Sequence, residues 1–450
     1  MPTRLALLGG KPIGAPAQLR MPVFAAAAIH AASELLRSGQ TVGLGRTSKV
    51  IAAAEAAISR YHGGREALLV NSGHAALMCA LMGLEVGPGD EVITTPYTWG
   101  ASVSCILNVG AIPVFVDVDP ATGLLDASKI GPAVTRRTKA VLAVHLYGQP
   151  CDMPSINRVA RKRGLRVIED GSQSHGATIG GRRVGSFSDA AGFSCMGGKL
   201  LATAEAGYML TPHKDVFWKA ALMCQHYGRS GEKGFPDALK PYADSLVYTF
   251  RVSPATAVLF PSQIRRLGPQ IAARQVNARA FREAMRPCRF IRFPDYPRGV
   301  EPSYHMLTMN YVPQAGGVRR DTILKALRAE GVGAFAYVPS PIYTWPRLQW
   351  NNYSGPVPMW MDPLRRAGTD YGSLRLGGCE HKIAHAIELG WNFYRPAAAQ
   401  MKRLAAAFLK VQDNLAALAA WEKTQDGRAQ EKQSATVLAA RRAVAAYRRK

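Results

Sequence analysis

Residues 166–209, RVIEDGSQSHGATIGGRRVGSFSDAAGFSCMGGKLLATAEAGYM, hold the two positions from which the rest of the chain is read. A short apolar run, Val167 and Ile168, ends on the carboxylates Glu169 and Asp170. A second apolar run, 190–196, ends in Gly197 and Gly198 and then Lys199. Both runs have the length and composition of buried strands. Taken singly, a lysine after glycines is a solvated loop residue and an aspartate at a strand end is a turn former. Together they set an acid and an amine at neighbouring strand ends.

That pair suits pyridoxal 5'-phosphate. A lysine amine condenses with its aldehyde, and a carboxylate beside the pyridine nitrogen keeps that nitrogen protonated, so the ring draws electrons. Other glycine-rich motifs fail. Gly197-Gly198-Lys199-Leu200 lacks the Ser or Thr of a phosphate loop, and Gly43-Leu44-Gly45 has no third glycine.

Working outward, strands are expected at 67–70, 92–94, 112–118, 140–146 and 166–169. Helices are expected at 22–38, 47–62, 73–84, 100–109, 125–134, 153–163 and 214–226. Strands alternating with helices imply a mostly parallel sheet, with ligands beyond the carboxyl ends of its strands. Ser72, Trp99, Asp170 and Lys199 each follow such a strand. The turn Asn71-Ser72-Gly73-His74 opens a helix, where unpaired N–H groups and the positive dipole end can hold an anion; Ser72 alone reads as an N-cap. Trp99 can stack on a flat ring or serve packing.

A smaller α+β unit is expected from 289, with strands at 306–312 and 332–337 and a helix at 321–330. The stretch 339–363, rich in Pro, Trp and Tyr, reads as a long loop or a substrate wall. A long helix is expected at 396–420. The division is 1–288, 289–420 and a basic helical tail, 421–450.

In order and spacing the chain resembles the DegT/DnrJ/StrS family of sugar aminotransferases. The residues that carry the resemblance are Glu169-Asp170, Gln173-Ser174-His175-Gly176, Phe193-Ser194 and Lys199 five residues on. It covers roughly 4–415 and implies the aspartate-aminotransferase-like fold type I. It implies that Lys199 binds the cofactor and moves the proton, that Asp170 holds the pyridinium, and that Gln173 and His175 lie near the ring. It implies that Trp99 covers one ring face, and that Ser194 with Ser72 and Gly73 binds phosphate. The chain departs from the pattern in three places. His74 stands where Thr is usual, Ala204-Glu205-Ala206 where Gly-Glu-Gly is usual, and Thr249 where an Asn reaches the neighbouring subunit's phosphate. Arg251 in that last segment matches. A homodimer with shared sites is implied.

Composition agrees with a soluble enzyme: 450 residues, 48% hydrophobic, and no apolar run long enough for a membrane span. The seven cysteines are scattered without C-x-x-C, as in a reduced cytoplasmic protein. The net charge of +25 is spread through the chain, with only +5 from 421–450 (eight basic residues against three acidic), so nucleic acid is not an expected partner. The expected activity is amino transfer from glutamate or glutamine to a keto-sugar, nucleotide-linked, or to a ketocyclitol. Two alternatives stay open: an aromatising or dehydrating relative such as a 3-amino-5-hydroxybenzoate synthase, and a non-catalytic regulatory or nucleic-acid-binding relative.

Overall fold

The computed structural model describes residues 3–424 except 15, 17 and 19–21, so the basic tail lies outside the described residues from 425 onward. The first strands are β1 (Glu66–Val70), β2 (Glu91–Thr94), β3 (Ile112–Phe115), β4 (Thr138–Val144) and β5 (Arg166–Asp170). A short hairpin follows, β6 (Thr178–Ile179) and β7 (Arg182–Arg183), then β8 (Ala190–Ser194) and β9 (Gly207–Thr211). Seven of these form one sheet, in the order β1-β9-β8-β5-β4-β2-β3. Only β9 runs against the rest, so the sheet is mostly parallel, as the alternating pattern implies.

Helix Gly73–Gly83 lies against this sheet, and every residue of it except His74 is buried. An all-apolar sequence suits a helix with no wet face. The edge strand β3 carries Pro113, whose missing N–H an edge tolerates. Its other groups are covered: the Tyr371 hydroxyl donates to the Pro113 carbonyl at 2.6 Å. Ile342, Tyr343, Leu348 and Leu364 pack on Ile112 and Phe115. The proline- and tryptophan-rich stretch therefore serves in large part to close the sheet edge.

The second sheet is antiparallel, in the order β10 (Ile291–Arg292), β12 (Met306–Tyr311), β14 (Ala386–Gly390), β13 (Ala334–Phe335). The two-residue strand β11 (Val300–Glu301) instead joins β6 and β7. Helices Arg320–Ala329 and Ala398–Asp413 supply Ile323, Leu327, Leu404 and Phe408 to this second core. Leu5, near the start of the chain, is buried in it too. Glu330 pins that first segment by accepting the Ala6 and Ile13 N–H groups and Lys410 Nζ. The 25-residue helix Phe260–Ala284 joins both bodies, with Phe260 and Leu267 in a core of the first and Ala278 and Phe281 in the second. Midway, buried Arg274 donates to the Tyr304 carbonyl, Asn392 Oδ1 and the Tyr394 hydroxyl.

Several expected elements differ. The helix at 125–134 is a 3-10 turn, Ala127–Lys129, and a single α turn, Ile130–Ala133. Gly131 and Pro132 give it little helical propensity. The strand at 332–337 shrinks to Ala334–Phe335, between Gly331 and Gly333 on one side and a proline-bearing segment, Pro339 and Pro341, on the other. The helix at 396–420 breaks at Asn414, whose side chain donates to the Lys410 and Thr3 carbonyls in competition with the helix ladder. Helix Gly377–His385 and β14 were not anticipated, because the buried Glu388 interrupts the apolar signal of that strand.

Candidate active site

Neighbouring residues of a strand face opposite sides of the sheet, and β5 ends on two carboxylates that show it. Glu169 is fully buried and accepts from the Gly185 N–H at 2.9 Å, the Phe187 N–H at 2.9 Å, Ser188 Oγ at 2.7 Å and His145 Nε2 at 3.0 Å. His145 Nδ1 accepts the Cys151 N–H, which places the ring proton on Nε2. Burial alone would raise the Glu169 pKa, but the bonds from His145, Gly185 and Ser188 outweigh it and hold the carboxyl below its ordinary value. Asp170 faces the other way. Its Oδ2 accepts from Ser102 Oγ at 2.7 Å and its Oδ1 from the Ser172 N–H at 3.0 Å.

Lys199 closes a turn after β8, its N–H donating to the Met196 carbonyl. Its ammonium has no hydrogen bond or ion pair among the described residues. Burial pushes its pKa down, and the negative charge of Asp170 opposes that shift, so amine and carboxylate feel each other across the site. The loop that carries it is strained, since Ala204 sits at φ 66°, a conformation that favours glycine.

The helix at Gly73 meets β8 closely. A Cβ on Gly73 would lie 2.4 Å from Ser194 Cβ, and one on Gly207 would lie 2.3 Å from the Ser72 carbonyl oxygen. Only glycine permits either approach, and the result sets Ser72, Gly73 and Ser194 side by side. Ser72 Oγ accepts the Ala75 N–H at 3.1 Å as an N-cap. The His74 ring turns to helix Ala101–Asn108: Nε2 accepts from Asn108 Nδ2 at 2.9 Å, and Nδ1 lies 3.3 Å from Ser104 Oγ. Trp360 Nε1 donates to Asn108 Oδ1, which fixes that amide and hence the imidazole tautomer. Burial lowers the His74 pKa.

Gln173 is held at both ends. Its Oε1 accepts the Tyr147 N–H at 2.8 Å and its Nε2 donates to the Tyr337 hydroxyl at 3.1 Å. The buried His175 packs on Phe193, ring centres 5.2 Å apart, and its Nδ1 has no partner. Burial, then the charges of His62 and Lys199, push its pKa well down. Trp99 is 60% exposed, with its ring 6.0 Å from that of Tyr337. An indole this open is not a core residue. Thr249 and Arg251 are not drawn in. The Phe250 carbonyl accepts the Asn71 N–H beside the cup, but neither side chain hydrogen-bonds a described residue.

Three residues of this region carried no motif. Ser102 looks like any helix serine. Tyr337 follows a two-residue strand, and its pKa is raised to about 12 by burial. His305 immediately precedes β12, and burial with the charge of Lys199 lowers its pKa well below the ordinary value.

These groups fit pyridoxal phosphate: an unpaired amine within the field of a carboxylate, an open aromatic, a buried imidazole whose Nδ1 has no partner, and a helix N-terminus against Ser194. The sequence profile of the DegT/DnrJ/EryC1/StrS aminotransferase family matches residues 24–358. The chain is 36% identical over 241 residues to the GDP-perosamine synthase of Caulobacter vibrioides, a match spanning 54% of this chain and 63% of that protein, under two thirds of its length. It is 37% identical over 290 residues to the L-glutamine:2-deoxy-scyllo-inosose aminotransferase of Streptoalloteichus tenebrarius, 62% of this chain and 67% of that one. The crystal structure of an aminotransferase from Psychrobacter cryohalolentis superposes with a TM-score of 0.75 at 27% identity, over 89% of this chain and all of that one. The chain belongs to the DegT/DnrJ/EryC1/StrS aminotransferase family, whose cofactor is pyridoxal phosphate.

Proposed function

We propose that this enzyme moves an amino group from glutamate or glutamine to the keto group of a sugar, nucleotide-linked, or of a cyclitol. The observation that carries the reading is the unpaired Lys199 amine, depressed by burial and set against Asp170. When bound, the cofactor supplies an electron sink for the carbon that loses its proton. The residues do the rest. Lys199 would hold the aldehyde carbon and, when free, would be the group placed to hold or move the substrate proton, its pKa lowered by burial. Asp170, oriented by Ser102 and the Ser172 N–H, holds the ring nitrogen's proton. The helix N-terminus at Ser72 and Gly73, with Ser194, receives the phosphate. His74 shapes that turn through Asn108 and leaves its backbone N–H groups to the anion. Trp99 covers a ring face, and Gln173 and His175 bound the ring edge.

Exposed apolar side chains at Met196, Met223, Tyr227, Tyr242, Leu246 and Tyr248 support a homodimer in which a second subunit lies over the site. In it Thr249 and Arg251 reach across to the partner's cup. All seven cysteines are free and buried, which suits the cytoplasm. No described helix is long and apolar enough to cross a membrane.

The test is spectroscopic and then preparative. Protein given pyridoxal phosphate turns yellow, and Lys199→Ala does not; a colourless wild type overturns the site. A panel of keto-sugars and ketocyclitols offered with glutamine or glutamate then identifies the acceptor. A product that has lost water or gained an aromatic ring would replace amino transfer by the aromatising or dehydrating reading.

A further inference from the structure

Glu388 lies at the centre of β14, fully buried, on the face opposite Ile387 and Leu389. Its Oε1 accepts from Thr308 Oγ1 at 3.0 Å and its Oε2 accepts the Tyr337 N–H at 2.9 Å. The negative charge of Glu388 is felt by the buried Tyr147 hydroxyl, whose pKa burial and then that charge raise. Lys382, equally buried, donates to Asn310 Oδ1 at 2.7 Å, the Ala121 carbonyl at 3.2 Å and Thr308 Oγ1 at 3.3 Å. Ammonium and carboxylate are therefore joined through one threonine hydroxyl and do not touch. Burial raises the Glu388 pKa and lowers that of Lys382 to about 8, each charge opposing the other's shift. Such a buried pair stabilises a fold no better than apolar side chains of the same volume. Its hydrogen bonds to Thr308 and the Tyr337 backbone point to a positional task.

That task is visible where the chain of bonds ends. Tyr337, held by Glu388, grips one end of the Gln173 amide, and the Tyr147 N–H grips the other. A backbone N–H can only donate, so the amide has one orientation. Tyr147 sits at φ 62°, a strained conformation for a tyrosine, and its hydroxyl lies 2.7 Å from that of Tyr97. The Tyr337 hydroxyl accepts from Gln173 and has its own hydrogen left to donate, with its ring beside Trp99.

We propose that Glu388, paired with Lys382 through Thr308, is a positioning residue for the cofactor site. It fixes the Tyr337 backbone, and through it the hydroxyl of Tyr337 and the Gln173 amide that donates to that hydroxyl. The inference rests on the reading of Lys199 and Asp170 as that site.

The experiment compares full-length wild type, Glu388→Gln, Tyr337→Phe and the double variant. Amide hydrogen exchange over 334–340 is read without cofactor. The absorbance maximum, its pH midpoint and the single-turnover rate with glutamate are read with pyridoxal phosphate added. Glu388→Gln should speed exchange at Tyr337 at least about tenfold, move the pH midpoint, and slow the turnover about tenfold, the size expected for one buried charge-assisted bond. The double variant should be no slower than the worse single, since both act through Tyr337. Normal exchange with an unmoved midpoint, or strictly additive losses, overturns the proposal. Should Glu388→Gln fail to fold, Thr308→Val removes only the shared hydroxyl. A shift in the same direction supports the proposal, and an unmoved midpoint overturns it. A wild type that never turns yellow counts against Lys199 instead, and the exchange at Tyr337 still decides whether Glu388 holds that backbone.

Discussion

Glu169 and Asp170 are adjacent, buried and carried by one strand, yet they belong to different regions of the molecule. Glu169 looks into the scaffold and meets four donors, enough to fill a carboxylate. Asp170 looks beyond the sheet and meets two, and its charge reaches the Lys199 amine, which has no hydrogen bond or ion pair among the described residues. A buried acid whose valences are filled by its own chain is architecture. One left partly open opposite an unpaired base is chemistry. Burial alone would not have told them apart.

The sharpest break of that comparison is Lys199→Ala, expected to abolish the yellow colour and cut amino transfer by about 10⁴-fold or more at unchanged melting temperature. Asp170→Asn comes next. Because its neighbours are few, it should lose about 10²–10³-fold in rate with little stability cost, checked by steady-state kinetics beside a urea titration. Glu169→Gln should invert that outcome, losing about 3 kcal/mol of stability ahead of any specific kinetic defect. The sign with pH follows from its lowered folded-state pKa. The contribution is complete above the unfolded carboxyl value of about 4.3, and is lost as pH falls through the lower folded value. The gap between wild type and Glu169→Gln should therefore close in strong acid, and a gap that stays constant down to about pH 2 contradicts the assignment. The smallest effect sits beside Lys199: Ala204→Gly should relieve the strain at φ 66° and gain about 0.5–1 kcal/mol, read as a urea midpoint shift.

The half of the site on the parallel sheet was legible in the sequence for a physical reason. Short strands that end in small turns and polar residues announce themselves by composition, so Asp170, Lys199, Ser72 and Gly73 could be placed at strand ends, and the resemblance supplied their roles. The other half could not. Tyr337 and His305 come from a region where strands shrink to a few residues, and Ser102 is an ordinary helix residue. Glu388 disguised its own strand, because a charged residue at the centre of a buried five-residue run reads as a loop. Thr249 and Arg251 were named from resemblance, and a single subunit leaves them outside the site. Trp99 shows a third case: its residue type alone suits stacking or packing, the resemblance placed it over the ring, and its exposure supports a surface for a flat ligand.

The helix Phe260–Ala284 carries a last consequence. At about 1.5 Å per residue it is a beam of roughly 37 Å, rooted in two cores and riveted midway by Arg274 to the segment that presents His305. The smaller body is thus no detachable module. Cutting the chain near 288 would strip Phe281 and Ala278 of their surroundings, so limited proteolysis should release no stable fragment from either side, and both bodies should melt in one cooperative step.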